Sequence, residues 1–249
     1  MKTKIDISVV IPVYNEEGNV TPLYNELKNV LENIHCSFEI IFINDGSTDK
    51  TLFELQKLKD ITIINLNKNY GQSAAFSAGF KAVNGDIVIT LDGDGQNDPK
   101  DIPFLIKKLK NENLDVVAGW RKNRHDSFSI ILISNIGRIL RFILFSDKIN
   151  DAGCSLRVYR YEAIKNLILT DKMHRYILLI LKLKGFKIDE MIVNHRPRLL
   201  GKSKYNISKI WEGTFDLLRL RLGEELIEIT SISLISVSII LLFYSLFVL

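Results

Sequence analysis

Residues 86–98 read Asp-Ile-Val-Ile-Thr-Leu-Asp-Gly-Asp-Gly-Gln-Asn-Asp, a short apolar run that ends in acidic residues and glycines. Such a run is typical of a strand buried in a parallel sheet. Asp92 and Asp94 follow it one residue apart, with Gln96 as a further oxygen donor, and the intervening glycines remove side-chain bulk. These oxygens suit a hard divalent cation that keeps open positions for diphosphate oxygens. The stretch therefore predicts a buried strand with a metal site at its carboxyl end.

Strand-like and helix-like segments alternate on both sides of this stretch. Strands joined by helices pair in parallel, with right-handed crossovers. We therefore predict an α/β fold with a doubly wound, mostly parallel sheet. The pattern predicts strands at residues 5–13, 38–43, 61–66, 86–91 and 115–118, and helices at residues 18–34, 48–59, 73–83 and 98–111.

Polar residues follow four of the predicted strands, at the sheet edge where ligands bind in folds of this type. No G-x-G-x-x-G follows the first strand and no P-loop lysine motif occurs, which argues against a dinucleotide dehydrogenase and a P-loop NTPase. The four stretches are Pro12-Val-Tyr-Asn-Glu-Glu17, Asn44-Asp-Gly-Ser-Thr-Asp49, Asn67-Lys-Asn-Tyr-Gly-Gln72 and Asp92-Gly-Asp-Gly-Gln-Asn-Asp98.

Charge is distributed unevenly along the 249 residues. Residues 1–119 contain 12 Lys and Arg against 17 Asp and Glu, whereas residues 120–249 contain 21 against 12. The basic part suits a polyanion, and nucleic acid, nucleotide phosphates and an anionic membrane all remain open on charge alone. The 47% hydrophobic content excludes a disordered, collagen-like or disulfide-scaffold chain. Cys36 and Cys154 have no metal-type spacing, and we expect both to be reduced thiols.

Three segments predict contact with a membrane. Residues 230–249 carry no charge, and as a helix they would be about 30 Å long, close to the thickness of the bilayer core. A buried core or oligomer helix is the alternative. We predict a transmembrane helix at 226–249, preceded by an amphipathic juxtamembrane helix at 206–225. A further amphipathic interfacial segment is predicted at 127–145. The basic residues before position 230 place that side of the membrane in the cytoplasm.

Six short motifs occur in order between Ile11 and Tyr205, and together they resemble the polyprenyl-phosphate branch of the family 2 glycosyltransferases. This branch includes enzymes similar to dolichyl-phosphate mannosyltransferase and to bacterial undecaprenyl-phosphate transferases. The motifs are Ile11-Pro-Val-Tyr-Asn-Glu-Glu17, Asn44-Asp-Gly-Ser47, Asn69-Tyr-Gly-Gln72, Asp92-Gly-Asp-Gly-Gln96, Asp151-Ala-Gly-Cys154 and Arg198-Leu-Leu-Gly-Lys-Ser-Lys204.

The resemblance implies a catalytic domain at residues 1–205 with the A-type fold of nucleotide-sugar glycosyltransferases. It also implies an inverting transfer from a UDP-, GDP- or dTDP-sugar to a polyprenyl phosphate, with Mg²⁺ or Mn²⁺ as cofactor and no nucleic-acid partner. The expected location is the inner (cytoplasmic) membrane, with the catalytic domain facing the cytoplasm. The implied nucleotide-sugar ligands are Pro12, Tyr14, Glu16, Ile43, Asp45, Gln72, Asp92, Gly93, Asp94, Arg198, Ser203 and Lys204; the metal ligands are Asp92, Asp94 and Gln96; the acceptor-phosphate ligands are Arg121, Arg124 and Arg138.

The expected chemistry is charge neutralisation more than proton abstraction. A phosphate monoester has a second pKa near 6, so a lipid phosphate is already substantially ionised at neutral pH. Arginines at the acceptor and a metal at the leaving diphosphate would bring two anions together. Asp94 is the carboxylate we would assign as a base if one is required. The predicted catalytic residues are thus Asp94, Arg121 and Arg138.

Two further expectations concern residues outside these sets. Asp151 is expected either to orient an arginine or to line the acceptor site. His174 and Arg175 precede an apolar helix, where either a role near the active site or a helix-terminal hydrogen bond fits.

Relatives in the branch carry two or four membrane helices after the catalytic domain, whereas one is predicted here. We therefore expect either self-association as a homo-oligomer or reliance on the amphipathic segments. Two alternative functions remain: a family 2 glycosyltransferase with a glycan or protein hydroxyl acceptor, and a non-catalytic membrane protein that binds nucleotide sugars.

Overall fold

The computed structural model describes residues 5–122, 128–170 and 172–197 and positions 217, 220 and 221, with side chains left out at 128–133. The chain divides into two compact units, Met1–Ser134 with Ile149–Ser203 and Asn135–Lys148 with Lys204–Leu249. No helix in the described ranges is long and apolar enough to cross a bilayer. The predicted transmembrane helix, nearly all of the juxtamembrane helix, and four predicted site residues lie outside the described residues. Those four are Arg124, Arg198, Ser203 and Lys204.

The first unit is built on one mixed sheet of seven strands. Their order across the sheet is β3-β2-β1-β4-β6-β5-β7. The five predicted strands are all present, and β6 and β7 are two that the sequence pattern did not reveal. The strands are β1 (Ile7–Val13), β2 (Phe38–Asn44), β3 (Ile61–Asn65), β4 (Ile87–Thr90), β5 (Val116–Trp120), β6 (Arg157–Arg160) and β7 (Ile188–Ile192).

Most neighbouring strands pair in parallel, but β6 does not. It lies between β4 and β5 and is antiparallel to both, whereas the other four pairs are parallel. The chain leaves the sheet after β5, forms a long helix, and returns at Arg157 on the same edge of the sheet, so that β6 runs in the opposite direction to β5. The strand is short and polar at both ends, Arg-Val-Tyr-Arg, so it carries little of the apolar signal that identified the others.

Helices cover both faces of the sheet, and alternate strand side chains point to two separate cores. On β1, Val9 and Ile11 face one core, which also contains Leu27, whereas Val10 faces the other, which contains Phe76. This alternation follows from the two-residue repeat of a strand. The helices are α1 (Val20–Glu32), α2 (Thr51–Leu55), α3 (Gln72–Ala82), α4 (Ile102–Asn111), α5 (Phe128–Phe145), α6 (Tyr161–Ile164) and α7 (Ile177–Leu183), with 3-10 turns at Pro99–Asp101 and Met173–Tyr176.

The second helix is much shorter than the predicted 48–59 segment. Thr48, at the start of the predicted segment, lies in the preceding loop, where its backbone N–H donates to Asn15 Oδ1 at 2.8 Å. Asn15 holds a left-handed backbone conformation with φ of 53°, which asparagine tolerates better than most residues. The helix begins only at Thr51.

In the second unit, the described part of α5 carries exposed apolar side chains. Ile139 is 54% exposed, Phe142 56% and Ile143 69%. Within the same unit Arg141 is buried, and its Nε donates to Asp147 Oδ2 at 3.0 Å. The polar atoms of this stretch are therefore partly sequestered, while apolar surface faces outward.

Candidate functional site

The carboxyl end of β4 carries the two predicted metal ligands in a tightly packed loop. Asp94 is 7% exposed, and its Oδ1 accepts the backbone N–H of Gln96 at 3.1 Å. Asp92 Oδ1 accepts from Gln72 Nε2 at 2.7 Å. A Cβ at Gly93, between the two carboxylates, would lie 2.5 Å from Val13 Cγ1. Only glycine therefore lets this loop pack so closely on β1.

Burial and the neighbouring Asp94 charge raise the pKa of Asp92 to about 6. The Ser155 hydroxyl and the guanidinium groups of Arg121 and Arg157 oppose this rise. The Asp92 carboxylate therefore resists ionisation, and a divalent cation bound to it would remove that cost. The electrostatics of this loop therefore fit a cation site.

The donor set fits a magnesium or manganese site that is completed by a substrate. No group of three His, Cys, Asp or Glu side chains able to hold a metal occurs among the described residues. Gln96 Nε2 donates to the carbonyl oxygen of Arg196 at 3.4 Å, which leaves Gln96 Oε1 as the candidate ligand atom. Two carboxylates and one amide oxygen are a set that Mg²⁺ commonly supplements with water and phosphate oxygens.

Sequence reasoning missed two polar residues that hold the loop after β4, residues 91–98, which contains the predicted metal ligands and is called the metal loop below. Asn97 is buried, and its Oδ1 accepts from the backbone N–H of Asp92 at 3.2 Å and from Ser155 Oγ at 2.8 Å. Asn97 lies within the quoted β4 stretch, but its partner Ser155 comes from the segment before β6. Their contact depends on the position of β6, which the sequence pattern did not predict.

The second predicted ligand group lies at the end of β2. Asp45 is 4% exposed, and its two carboxylate oxygens accept the backbone N–H groups of Tyr70 and Gly71 at 2.8 and 2.9 Å. Its first role is thus to hold the start of α3, and Gln72 of that helix reaches Asp92. The predicted contact of Asp45 with a nucleotide base stays a prediction. The Ile43 side chain is fully buried in the core.

Side chains from the β2–α2 loop and from the first residue of α2 hold the loop after β1. Pro12, in β1, and Tyr14 and Glu16, in that loop, are half-buried. The backbone N–H of Glu16 donates to Thr51 Oγ1 at 2.8 Å. The backbone N–H of Asn15 donates to a serine hydroxyl of the β2–α2 loop at 3.0 Å. Two of the predicted nucleotide-binding loops therefore form one hydrogen-bonded structure.

Arg121, just after β5, is held by Asp151. Its Nε and Nη2 donate to the two carboxylate oxygens at 2.7 and 2.9 Å, and its backbone N–H donates to Oδ2 at 3.1 Å. Of the two roles expected for Asp151, the structure shows that it orients an arginine. Arg138 is exposed on α5 in the other compact unit, and its role at the acceptor stays a prediction.

His174 occupies the 3-10 turn before α7. Its backbone N–H donates to Ser73 Oγ at 3.0 Å, and its Nδ1 lies 2.9 Å from the same oxygen. Ser73 directly follows Gln72, which bonds to Asp92. The turn is therefore attached to the same helix start as the metal loop.

Asp92 and Arg121 lie at the same edge of the sheet. Because β6 is antiparallel to both β4 and β5, these two strands run in the same direction with one strand between them. Two strand spacings are about 10 Å. The Arg121 charge opposes the rise in the pKa of Asp92. The two predicted site residues are therefore electrostatically coupled across this edge.

Residues 8–168 match the family model for glycosyl transferase family 2. The chain is 38% identical over 227 residues to dodecaprenyl-phosphate galacturonate synthase of Rhizobium johnstonii, covering 86% of this chain and 66% of the relative. It is 36% identical over 217 residues to undecaprenyl-phosphate 4-deoxy-4-formamido-L-arabinose transferase of Salmonella choleraesuis, covering 85% and 66%. The chain thus spans just under two thirds of the length of these relatives.

Solved structures share the fold. Glucosyl-3-phosphoglycerate synthase from Mycobacterium tuberculosis, in complex with Mn²⁺, uridine diphosphate and phosphoglyceric acid, superimposes with a TM-score of 0.68 at 18% identity. The match covers 88% of this chain and 79% of that one. With the family model covering more than half of the sequence, the chain belongs to glycosyl transferase family 2.

Proposed function

We propose that this protein transfers a sugar from a nucleotide sugar to the phosphate of a polyprenyl phosphate, with inversion at the anomeric carbon. The names of the relatives at 36–38% identity both specify a polyprenyl-phosphate sugar transfer. The observation that carries the proposal is that Asp92 and Asp94 lie at the same sheet edge as Arg121, whose guanidinium is fixed by Asp151. This arrangement offers a place for a diphosphate beside a place for a second phosphate.

The donor side follows from the strand-end residues. Asp92, Asp94 and Gln96 would hold Mg²⁺ or Mn²⁺, which when bound draws negative charge from the departing diphosphate. Pro12, Tyr14, Glu16 and Asp45 would hold the base and ribose. The predicted phosphate ligands Arg198, Ser203 and Lys204 belong to this proposal on sequence grounds.

The acceptor side needs positive charge more than a base. A phosphate monoester oxygen is already ionised at neutral pH, so the chain must chiefly offset repulsion between two anions. Arg121 is oriented for this purpose by Asp151. Arg124 and Arg138 would supply further charge, and Asp94 would be the base if an acceptor required one.

The proposed location is the cytoplasmic face of the inner membrane. Supporting it are the exposed apolar side chains of α5, namely Ile136, Ile139, Phe142 and Ile143, with exposed Arg138 among them. An apolar helix face with a basic residue beside it is typical of a helix that lies in an anionic interface. The terminal transmembrane helix and a homo-oligomer remain part of the proposal on sequence grounds.

The test is a transfer assay with the full chain in membranes that contain undecaprenyl phosphate. A panel of labelled UDP-, GDP- and dTDP-sugars is supplied with Mn²⁺ or with Mg²⁺. We expect label from one donor to enter an organic-extractable lipid that mild acid hydrolyses. Chelation with EDTA, or replacement of both Asp92 and Asp94 by Ala, should abolish the transfer.

The control is Asp189→Asn, an isosteric change that removes one negative charge at an exposed position of β7 away from the site. Label that appears only in a water-soluble or polymeric product would contradict the lipid acceptor and favour a hydroxyl acceptor. Nucleotide-sugar binding without product from any lipid phosphate would favour the non-catalytic alternative.

A further inference from the structure

A glutamate on the edge strand β7 holds the turn that presents Asp151. Glu190 Oε2 accepts the backbone N–H of Asn150 at 2.7 Å and its side-chain amide at 2.9 Å. Glu190 Oε1 accepts the backbone N–H of Asp151 at 2.8 Å. One half-buried carboxylate thus receives three hydrogen bonds from two consecutive residues. Charge-assisted bonds of this kind are stronger than neutral ones.

An arginine holds the other end of the same turn. Arg157 is 4% exposed, and its Nη2 and Nε donate to the carbonyl oxygens of Ala152 and Cys154, each at 2.7 Å. The Glu190 carboxylate therefore accepts hydrogen bonds from the N–H groups at the start of the turn. The Arg157 guanidinium donates hydrogen bonds to the carbonyl groups at its end. This arrangement leaves the backbone of residues 150–154 little freedom.

This turn also orients the side chain of Arg121. Both Asp151 carboxylate oxygens bond to the Arg121 side chain. A Cβ at Gly153 would lie 3.2 Å from Arg121 Nη2, so the guanidinium also packs against the turn itself. An arginine that is already fixed loses less conformational freedom when it binds a phosphate.

We propose that Glu190 is a positioning residue for Arg121 and so for the acceptor phosphate. It acts at a distance: Glu190 orders Asn150 and Asp151, and Asp151 orients the guanidinium. This inference rests on the proposed function, because it takes Arg121 as the acceptor-phosphate ligand. It predicts a selective loss of acceptor binding when Glu190 is changed.

The test measures acceptor and donor affinity separately on the full chain in detergent. In a Trp211→Phe background, Trp120 is the sole tryptophan and directly precedes Arg121. Undecaprenyl phosphate is titrated against Trp120 fluorescence, with undecaprenol as the phosphate-free control. UDP with Mn²⁺ is titrated by calorimetry.

Glu190→Gln is the informative variant, because an amide nitrogen in place of either oxygen faces an N–H donor. We expect undecaprenyl phosphate to bind about five- to tenfold more weakly, the size of one or two lost hydrogen bonds. The affinity for UDP and Mn²⁺ should stay unchanged. Asp189→Asn, at the adjacent position on β7, is the matched control and should change neither affinity.

A double variant separates positioning from a general loss of structure. If Glu190 acts through Arg121, then Arg121→Lys together with Glu190→Gln should bind undecaprenyl phosphate no more weakly than Arg121→Lys alone. Additive losses, or an equal loss of UDP affinity in Glu190→Gln, would overturn the inference. Unchanged undecaprenyl phosphate affinity in Glu190→Gln would overturn it as well.

Binding measurements on the unsubstituted protein show whether the proposed function itself fails. If that protein binds undecaprenol and undecaprenyl phosphate equally, it does not recognise the acceptor phosphate, and the inference fails together with the proposed function. If it prefers the phosphate but Glu190→Gln keeps that preference, only the inference fails.

Discussion

At the scale of single residues, the carboxylate pair after β4 determines the character of the site. Burial raises the pKa of Asp92, and the Asp94 charge raises it further. A folded protein that keeps such a pair without a cation sacrifices stability. The pair is consistent with a site selected for cation binding at the expense of the metal-free fold.

The raised pKa of Asp92 predicts how the stability of the metal-free protein depends on pH. The unfolded chain releases this proton near pH 4 and the folded chain near pH 6, so ionisation penalises the folded state increasingly between these values and fully above them. In EDTA, Asp92→Asn should therefore exceed the unsubstituted protein in stability by roughly 2–3 kcal/mol at pH 7.5. The advantage should be much smaller at pH 4.

Urea unfolding at several pH values measures this difference. Asn keeps the oxygen that accepts from Gln72, so the hydrogen bond is retained in the variant. Added Mn²⁺ should reverse the order at pH 7.5 by stabilising only the unsubstituted protein. An advantage of Asp92→Asn that is the same at all pH values would refute the electrostatic explanation.

At the scale of secondary-structure elements, the two loops after β1 and β2 are cross-linked through Thr51. This side chain is fully buried. Its Oγ1 accepts the backbone N–H of Glu16 at 2.8 Å and donates to Asp49 Oδ1 at 2.6 Å. The threonine thus fixes the start of α2 and the loop that would hold the nucleotide.

Thr51→Val should destabilise the protein by about 1–3 kcal/mol, because it leaves the Glu16 N–H without its partner in a buried setting. The volume changes little, so the effect isolates the hydroxyl. Thr62→Val, at an exposed position of β3, is the control and should change stability by less than about 0.5 kcal/mol. Equal unfolding free energies for the two variants would show that Thr51 does not link these loops.

Strand β6 lies between β4 and β5 and brings residues from distant parts of the chain together at the candidate site. By separating β4 from β5 it brings Ser155 to Asn97 and places Arg157 beside the metal loop. The expected strands β1 to β5 were confirmed in type and closely in position. The position of β6 was not predictable, because the pattern of a short polar strand carries no information on which strands it joins.

At the scale of the whole molecule, the proposed lipid acceptor requires contact between the protein and a membrane. The exposed face of α5 provides a direct experiment in the protein as it exists. Ile143 is 69% exposed in the second unit, and Ile168 is 85% exposed in the first. If α5 lies in the membrane interface, position 143 should be in lipid, whereas position 168 is not on α5 and serves as an exposed apolar reference.

The full chain in anionic vesicles, in a Cys36→Ser background, is labelled with bimane at Ile143→Cys or at Ile168→Cys. Cys154 is fully buried and should not react. We expect nitroxide-labelled lipid to quench the bimane at position 143 strongly, and the label at position 168 reports the quenching of an exposed apolar position outside α5. Weak quenching at position 143 would contradict an interfacial α5.

The sequence by itself determined the first five strands, the helices between them and the polar residues at the strand ends. These features depend on local periodicity and on the rule that parallel strands end at one edge, and both can be read along the chain. It also predicted Asp92, Asp94, Asp45 and Arg121 as residues of one site.

Only the tertiary structure decided how these residues are held. The Arg121–Asp151 contact joins positions 30 apart, and the Asp151–Glu190 contact joins positions 39 apart. Such pairs form because β5, β6 and β7 are adjacent in the sheet, an order that depends on long-range packing and that leaves no periodic trace in the sequence. The chemistry of the site was thus visible in the residues, whereas its supporting network depended on the strand order.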